Sequence, residues 1–279
     1  MLAVVYLIFN EGYGGRVDLA AEALRLGAAL TELMPDEPEV HGLHALMLLN
    51  DARRAARFDE GELVLLADQD RSRWDAAAIS HGRAALDRSL ALRGAGPYVV
   101  QAAIASLHLD EPHDWPQIAA LYGELARLTG SPIVELNRAI AVAEAQGAAA
   151  GLALVDRLGL DSYQYFHSTR ADLLRRLGRA GEARSEYEHA LELAHTEHER
   201  PLPATAHRGS QRAAVPSGVP VRRRVMIGDK RRRRRLLQLL AAPQGPASAG
   251  RTAPANAGAS APEVLGELRL APSCGELRG

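Results

Sequence analysis

Apolar residues recur at spacings of three and four along most of the first 200 positions, which predicts a series of amphipathic helices. The clearest run spans residues 17–33, where Leu19, Ala23, Leu26 and Leu30 fall on one face. Further helices are predicted over about 37–57, 71–92, 98–109, 115–128 and 132–146. The pattern is typical of an all-α protein.

Turn and cap residues separate these helices. Pro35-Asp36-Glu37-Pro38 reads as a stop and a restart with Asp36 as N-cap, and Asp114 is a second predicted N-cap. Gly130-Ser131-Pro132 ends one helix and starts the next. The apolar run 2–9 predicts either a buried helix turn or a strand, and we expect Asn10 to Gly15 to end it.

A repeat is visible near the end of this helical region. Residues 133–158 match residues 166–191 at an offset of about 33. A period near 34 with paired helices is typical of tetratricopeptide-type (TPR) repeats, in which each helix pair buries its apolar face against the next pair. We therefore expect an all-α, TPR-like, right-handed stack of antiparallel helix pairs over most of residues 15–200.

Residues 65–75 are the most charged and least helix-periodic stretch between two long helical patterns. Asp70 is a candidate N-cap of a helix starting at Arg71, and Arg71 could pair with Asp75 four positions on. Trp74 would then turn toward the core. The competing interpretation is a docking or regulatory surface formed by Asp68, Asp70, Arg71, Arg73, Trp74 and Asp75.

Metal binding finds little support in these patterns. Asp68 and Asp70 alone make a poor cation cage, and the neighbouring arginines compete for them. His41 and His44 have the spacing of two ligands on one helix face, but no third ligand is indicated. We expect no metal site and no cofactor. The sequence contains no nucleophile elbow, His-Glu-x-x-His motif or phosphate loop, so we expect no enzyme.

The charge changes sign along the chain. Residues 1–200 contain 19 arginines, no lysine and 30 acidic residues, whereas residues 201–279 contain 14 basic and 4 acidic residues. Within this second part, Arg222–Arg224 and Lys230–Arg235 form a polybasic patch suited to non-specific nucleic-acid binding. Residues 241–262 are rich in Ala, Pro, Gly and Ser and cannot pack a core. We expect a disordered basic tail.

The single cysteine, Cys274, excludes an internal disulfide framework and a cysteine-based zinc site. The apolar run at the start is far shorter than the roughly 20 residues needed to cross a bilayer, and it has no basic leader region. We expect a soluble protein of the cytoplasm that binds no membrane.

Five motifs in order resemble one protein family. They are Tyr6-Leu-Ile-Phe-Asn-Glu-Gly-Tyr13, Leu46-Met-Leu-Leu-Asn-Asp-Ala-Arg-Arg-Ala-Ala-Arg57, Asp68-Gln-Asp-Arg-Ser-Arg-Trp-Asp75, Pro97-Tyr98 with Gln101-Ala-Ala-Ile104, and Pro132 with Val134-Glu-Leu-Asn-Arg-Ala-Ile-Ala-Val-Ala143. Together they are similar to the C-terminal, TPR-like extension of a bacterial group of extracytoplasmic-function RNA polymerase sigma factors. The resemblance covers about residues 2–200.

The resemblance implies a part of a sigma factor that acts in transcription initiation through protein interactions. Residues 1–14, with Asn10, Glu11, Gly12 and Tyr13, would link to sigma regions that read the promoter and are missing from this chain. The implied partners are the RNA polymerase core and those sigma regions, with promoter DNA contacted only through the missing regions. The alternative is a stand-alone TPR-like adaptor that binds a protein or peptide.

One departure from the family lies at residue 201. The family's last helix continues with an Arg-Phe-Leu-like run, whereas this chain reads Pro201-Leu202-Pro203-Ala204. One inserted base in a GC-rich gene would convert codons for Arg-Phe-Leu into codons for Pro-Leu-Pro. This favours the hypothesis that residues 201–279 are a frameshifted read-through. The alternative is a genuine disordered basic tail.

Overall fold

A computed structural model describes residues 1–13, 17–59, 62–64 and 66–198 of the chain. The fold of this part is all-α, as predicted, apart from one hairpin of two-residue strands. The helices are α1 (Leu2–Tyr13), α2 (Val17–Leu33), α3 (Pro38–Asp51), α4 (Ala76–Ala91), α5 (Pro97–His108), α6 (Trp115–Thr129), α7 (Pro132–Gln146), α8 (Ala148–Val155), α9 (Gln164–Arg176) and α10 (Ala180–His198). Residues 199–279 lie outside the described part, and the expectations of a disordered or frameshifted tail stay predictions.

The helix starts follow the cap chemistry in the sequence. Asp114 caps α6 and accepts a hydrogen bond from the backbone of Gln117 at 3.2 Å, as predicted. Gly130 ends the same helix with φ +63°, a conformation in which a glycine has no steric cost. For α3 the predicted cap was wrong by one position, because Glu37 rather than Asp36 occupies the N-cap.

The first apolar run is a helix and not a strand. The sequence suggested that the residues after Phe9 end this run. The helix instead continues, and its last turn is formed by Asn10, Glu11, Gly12 and Tyr13. Gly12 makes this packing possible, because a Cβ at this position would lie 2.1 Å from the backbone nitrogen of Ala20. The close approach of α1 to α2 therefore requires glycine here.

Successive helices pack on one another in chain order, and α3 is the most central. It contacts α2, α4, α5 and α1, while α6 packs on α7 and α9 packs on α10. One core joins α1 to α7, and a second core, which includes Leu136, Phe166 and Leu173, joins α7 to α10. The molecule is thus a layered helix stack, consistent with helix pairs that bury their faces against neighbours.

The two segments that match in sequence are helix pairs of unequal length. The first pair is α7 with α8, and the second is α9 with α10. The second helix has eight residues in one pair and 19 in the other. A TPR-like repeat therefore remains a prediction, while the all-α architecture is established.

A connection of 24 residues joins α3 to α4. Short 3₁₀ turns at Arg54–Ala56, Leu66–Asp68 and Arg71–Arg73 alternate with the hairpin, in which Phe58 pairs with Leu63 and Asp59 with Glu62. The sequence predicted helix through the first part of this stretch, to about residue 57, and again from residue 71. Both boundaries were wrong, because α3 ends at Asp51 and α4 begins at Ala76.

Met1 and one face of α1 carry large apolar side chains that no described part of the chain covers. Met1, Val4 and Leu7 are 71%, 58% and 54% exposed, whereas Val5 and Phe9 on the opposite side are buried in the core. In the described ranges, no helix is long and apolar enough to cross a membrane.

Candidate functional site

The candidate site centres on residues 66–75, here called the arginine–tryptophan segment, which follows the hairpin. Asp70 and Asp75 each cap a turn. Asp70 accepts hydrogen bonds from the backbone and hydroxyl of Ser72 at 2.9 and 2.7 Å. These bonds lower the pKa of the Asp70 carboxyl. Asp75 accepts from the backbone of Ala77 and Ala78 at 2.8 and 3.0 Å.

The prediction that Asp70 caps the long helix α4 is corrected by this geometry. Asp70 caps only the 3₁₀ turn Arg71–Arg73, and Asp75 caps α4. Because the Asp75 side chain serves the start of α4, it is not the partner of Arg71. The predicted pair between Arg71 and Asp75 was therefore wrong.

Arg71 instead joins the segment to the loop between α5 and α6, residues 109–114. Its guanidinium donates to the carbonyl of Leu109 at 3.3 Å and pairs with the Glu111 carboxylate at 2.8 Å. The same guanidinium lies over the Trp74 ring, 4.5 Å from the ring centroid. One side chain thus connects two loops that are about 40 positions apart. We call the contact between the arginine–tryptophan segment and this loop the seam.

A second arginine closes the seam from α4. Arg83 donates to the carbonyl of Ser106 at 3.3 Å and to the Asp110 carboxylate at 2.9 Å. Both side chains of this ion pair are less than one third exposed, so solvent screens the pair less than an open surface pair. Arg71 and Arg83 therefore fix the α5–α6 loop at two neighbouring points.

The sequence suggested that Trp74 turns toward the core. In the structure it does not enter the core. It is half-buried on Arg71, with its indole N–H buried and without a hydrogen-bond partner among the described residues. Gln69 holds the segment on its other side, where it donates to the carbonyl of Val64 at 3.1 Å.

Asp68 and Arg73 are the outward-facing charges of the segment. Both are exposed, and neither side chain makes a hydrogen bond or ion pair with the described part of the chain, although the charge of Arg73 acts weakly on the Asp70 carboxyl. The six candidate residues therefore divide into two groups. Asp70, Arg71, Trp74 and Asp75 shape the segment, whereas Asp68 and Arg73 are available to another molecule.

Three aromatic rings line the α5–α6 side of the seam. His113 stacks on Trp115 at a centroid distance of 5.1 Å, and His108 meets Trp115 edge-on at 5.7 Å. His108 is 4% exposed, and burial, with smaller effects from His113 and Arg53, lowers its pKa to about 3. Burial, followed by the charge of Arg71, lowers the pKa of His113 as well. His108 is therefore neutral at pH 7, and burial favours the neutral form of His113 as well.

The second group of candidates, Asn10 to Tyr13, lies at the end of α1, more than 50 positions before the arginine–tryptophan segment. Asn10 has both side-chain amide atoms buried without a hydrogen-bond partner in the described ranges, and Glu11 is exposed. Gly12 is linked instead to the 3₁₀ turn after α3, where the guanidinium of Arg54 donates to the carbonyl of Gly12 at 3.5 Å. The structure thus does not merge the two groups into one site.

The histidines on α3 have structural environments. The Nε2–H of His41 donates to the carbonyl of Pro35 at 2.9 Å, and burial lowers the pKa of His44. No group of three or more His, Cys, Asp or Glu side chains that could hold a metal ion occurs in the described part of the chain.

Sequence patterns did not reveal that residues 106–115 complete the site. The acids Asp110 and Glu111 and the ring of His113 looked like ordinary loop residues, and nothing in their spacing points to residues 71 or 83. The available signal was compositional, since the chain has only two tryptophans and both flank charged loops.

Two comparisons with known proteins find relatives. The first 90 residues match a family of unknown function, DUF6596. This match ends within α4 and includes the whole arginine–tryptophan segment. An uncharacterized protein of Rhizobium meliloti (strain 1021), R00370, is 47% identical over 205 residues, which cover 68% of this chain and 48% of that protein. The chain thus spans about half the length of this curated relative. No solved structure matches the chain.

Proposed function

We propose that this chain is the C-terminal, helical part of an extracytoplasmic-function RNA polymerase sigma factor. In this proposal the helix stack is a protein-interaction domain of transcription initiation, and the arginine–tryptophan segment is its docking surface. The observation that carries the proposal is the outward position of Asp68 and Arg73 on a segment that Arg71 holds in place. These residues belong to the motif on which the family resemblance depends.

The rigidity of the segment supports docking. A surface loop with two capped turns and an anchored guanidinium loses little conformational freedom when a partner binds, so the cost of ordering is small. Exposed charges on such a loop give specificity more than affinity. The chemistry of Asp68 and Arg73 fits a polar protein surface that presents one charge of each sign.

The exposed face of α1 gives a second line of support. Met1, Val4 and Leu7 form an apolar patch of the kind that marks protein contacts. In the resembled family the sigma regions precede this extension, so α1 would be the first helix after them. The matched relative is about twice as long as the matched region, which leaves room for such regions in that protein.

Binding of the full chain to purified RNA polymerase core tests the proposal. We expect the wild-type chain to co-elute with the RNA polymerase core. The binding is measured with the chain by itself and again after adding the part of the Rhizobium relative that lies outside the match. Arg73→Glu should weaken this binding at least tenfold, since it reverses an exposed charge whose side chain makes no hydrogen bond or ion pair across the seam.

The matched control is Arg157→Glu. Arg157 is also exposed and makes no ion pair with the described residues, but it lies after α8, far from the segment in the chain. Equal weakening by both reversals would indicate a general charge effect and contradict docking through Arg73. Absence of binding to the core and to the sigma regions would contradict the sigma-factor proposal as a whole.

A stand-alone adaptor is the second candidate. It is favoured by the sequential packing of helix pairs, in which α3 contacts α4 and α5, and α7 contacts α8 and α9. Stacks of this kind bind extended peptides along one surface. Selection from a random peptide library separates the candidates, because an adaptor would retain peptides of a common pattern while failing to bind RNA polymerase.

A further inference from the structure

Trp74 lies on the seam, and the buried His108 lies on the α5–α6 side, where the ring of His113 from the loop and the ring of Trp115 cover it. Trp74 rests on Arg71 from the arginine–tryptophan segment, while Trp115 contacts His108 and His113 at the start of α6. The seam is therefore built from aromatic rings and guanidinium groups, with two imidazoles that can gain charge.

His108 has no hydrogen-bond partner for either ring nitrogen within the described residues, although its side chain is almost fully buried. A buried polar group normally has a partner, because leaving it unpaired costs about 1–3 kcal/mol. A neutral imidazole tolerates this position far better than an imidazolium would. Protonation would place a bare charge in a site without an acceptor.

The charged neighbours would not compensate that charge. Arg53 lies on one side of His108, and His113 lies 5.8 Å away between ring centroids. The acids nearest to His113, Asp110 and Glu111, are already paired with Arg83 and Arg71. A positive charge on His108 would therefore lie near Arg53 and aromatic rings. The carboxylates of Asp110 and Glu111 are already paired with Arg83 and Arg71 and do not neutralise that charge.

We propose that the seam is an acid-sensitive latch, in which protonation of His108, assisted by His113, separates the arginine–tryptophan segment from the α5–α6 loop. Opening exposes His108 to water and releases Arg71 from Leu109 and Glu111. The helix stack itself stays folded, because the buried residues of both cores lie on helices, although Trp115 also packs against the first core. This latch is independent of the partner proposed above and operates in the isolated chain.

The direction of the pH effect follows from the pKa of His108. The closed latch holds this pKa at about 3, while an opened, hydrated imidazole returns toward the usual 6.5. The open form thus binds the proton more tightly, and closure is fully favoured above pH 6.5. As the pH falls from 6.5 toward 3, the ratio of open to closed molecules rises about tenfold for each pH unit.

Tryptophan fluorescence, excited selectively so that the seven tyrosines do not contribute, measures this opening, because Trp74 and Trp115 are the only tryptophans of the chain. The full chain is titrated from pH 7.5 to 4.5, with the emission maximum and acrylamide quenching recorded beside far-UV circular dichroism. We expect a red shift and stronger quenching, with unchanged helicity. Intensity alone is not used, since protonated His113 would quench Trp115 by stacking without any opening.

Two variants locate the proton. His108→Leu should abolish the red shift that accompanies falling pH. Because His108 contacts Trp115, each variant is compared with its own emission maximum at pH 7.5. His44→Leu is the matched control, since burial also lowers the pKa of His44 but its ring lies against Gly27 of α2. The control should open like the wild type.

Three results would overturn the latch. The first is an emission maximum that does not move in the wild type, and the second is a loss of helicity in the same pH step. The third is a red shift that persists in His108→Leu. The first two come from the wild-type chain alone, so they hold even if His108→Leu does not fold.

Discussion

Glu39 on α3 caps a different helix. Its carboxylate accepts hydrogen bonds from the backbone N–H groups of Tyr98 and Val99 at 3.1 and 3.2 Å, in the first turn of α5. The residue at the N-cap of α5 is Gly96, which has no side chain to do this. Burial raises the pKa of Glu39, and the two hydrogen bonds act against this shift. An acid from one helix thus satisfies the open donors of another.

Glu39→Ala should destabilise the protein by about 1–3 kcal/mol, because two partly buried N–H groups lose their acceptor. Urea unfolding followed by circular dichroism measures the change. Glu32→Ala is the control, since Glu32 is exposed at the end of α2 and should change stability by less than about 0.5 kcal/mol. An equal effect of both substitutions would show that the link to α5 adds no stability.

Gly96→Ala should act on the same link. A Cβ at this position would lie 2.5 Å from the carboxyl carbon of Glu39, so the carboxylate must move away from α5. We expect a loss of about 1–3 kcal/mol. Because both substitutions remove one interaction, the double variant should lose little more than Glu39→Ala alone. Additive losses would mean that Gly96 matters for another reason.

Arg71 and Arg73 should differ in their effect on stability. Arg71→Gln removes the contact with Trp74 and the bond to Leu109, for an expected loss of about 1–2 kcal/mol. The ion pair with Glu111 adds little, because the Glu111 side chain is 62% exposed. Arg73→Gln should stay within about 0.5 kcal/mol of wild type. Thermal unfolding of the two variants makes the comparison, and equal losses would contradict the division between them.

Asp75→Ala should weaken the start of α4 by about 1–2 kcal/mol, the usual effect of losing an N-cap. Asp68→Ala is the control from the same segment, because Asp68 faces outward without a partner among the described residues. Amide hydrogen exchange in the first turn of α4 is the most direct measurement. Unchanged protection there in Asp75→Ala would contradict the assignment of this cap.

The sequence predicted the helices well because they are amphipathic, and their periodicity is a local property. It also identified Asp114 as a cap from its position before Trp115 and Pro116. It misplaced the start of α4, because Asp70 and Asp75 are equally good cap residues and only the surrounding packing selects between them. Local sequence therefore allowed α4 to start after either Asp70 or Asp75, and tertiary contacts selected Asp75.

The candidate site could be predicted only in part for the same reason. The charged segment was visible as a break in helical periodicity, but its anchoring through Arg71 depends on Leu109 and Glu111, about 40 positions later. Such a pair leaves no periodic signal. The buried state of His108 was equally hidden, since a histidine at the end of an apolar helix looks the same whether its ring is covered or exposed.

The match to the family of unknown function ends at residue 90, but the physical unit does not. Glu39 needs α5, Gly42 lies so close to Val99 that an added Cβ would come within 2.8 Å of its backbone nitrogen, and Arg71 needs the loop beyond α5. The region that matches the family model and the region held together by these contacts thus have different borders. A fragment cut at residue 90 would leave α3 without one wall, so any expression of this region should extend at least through α6.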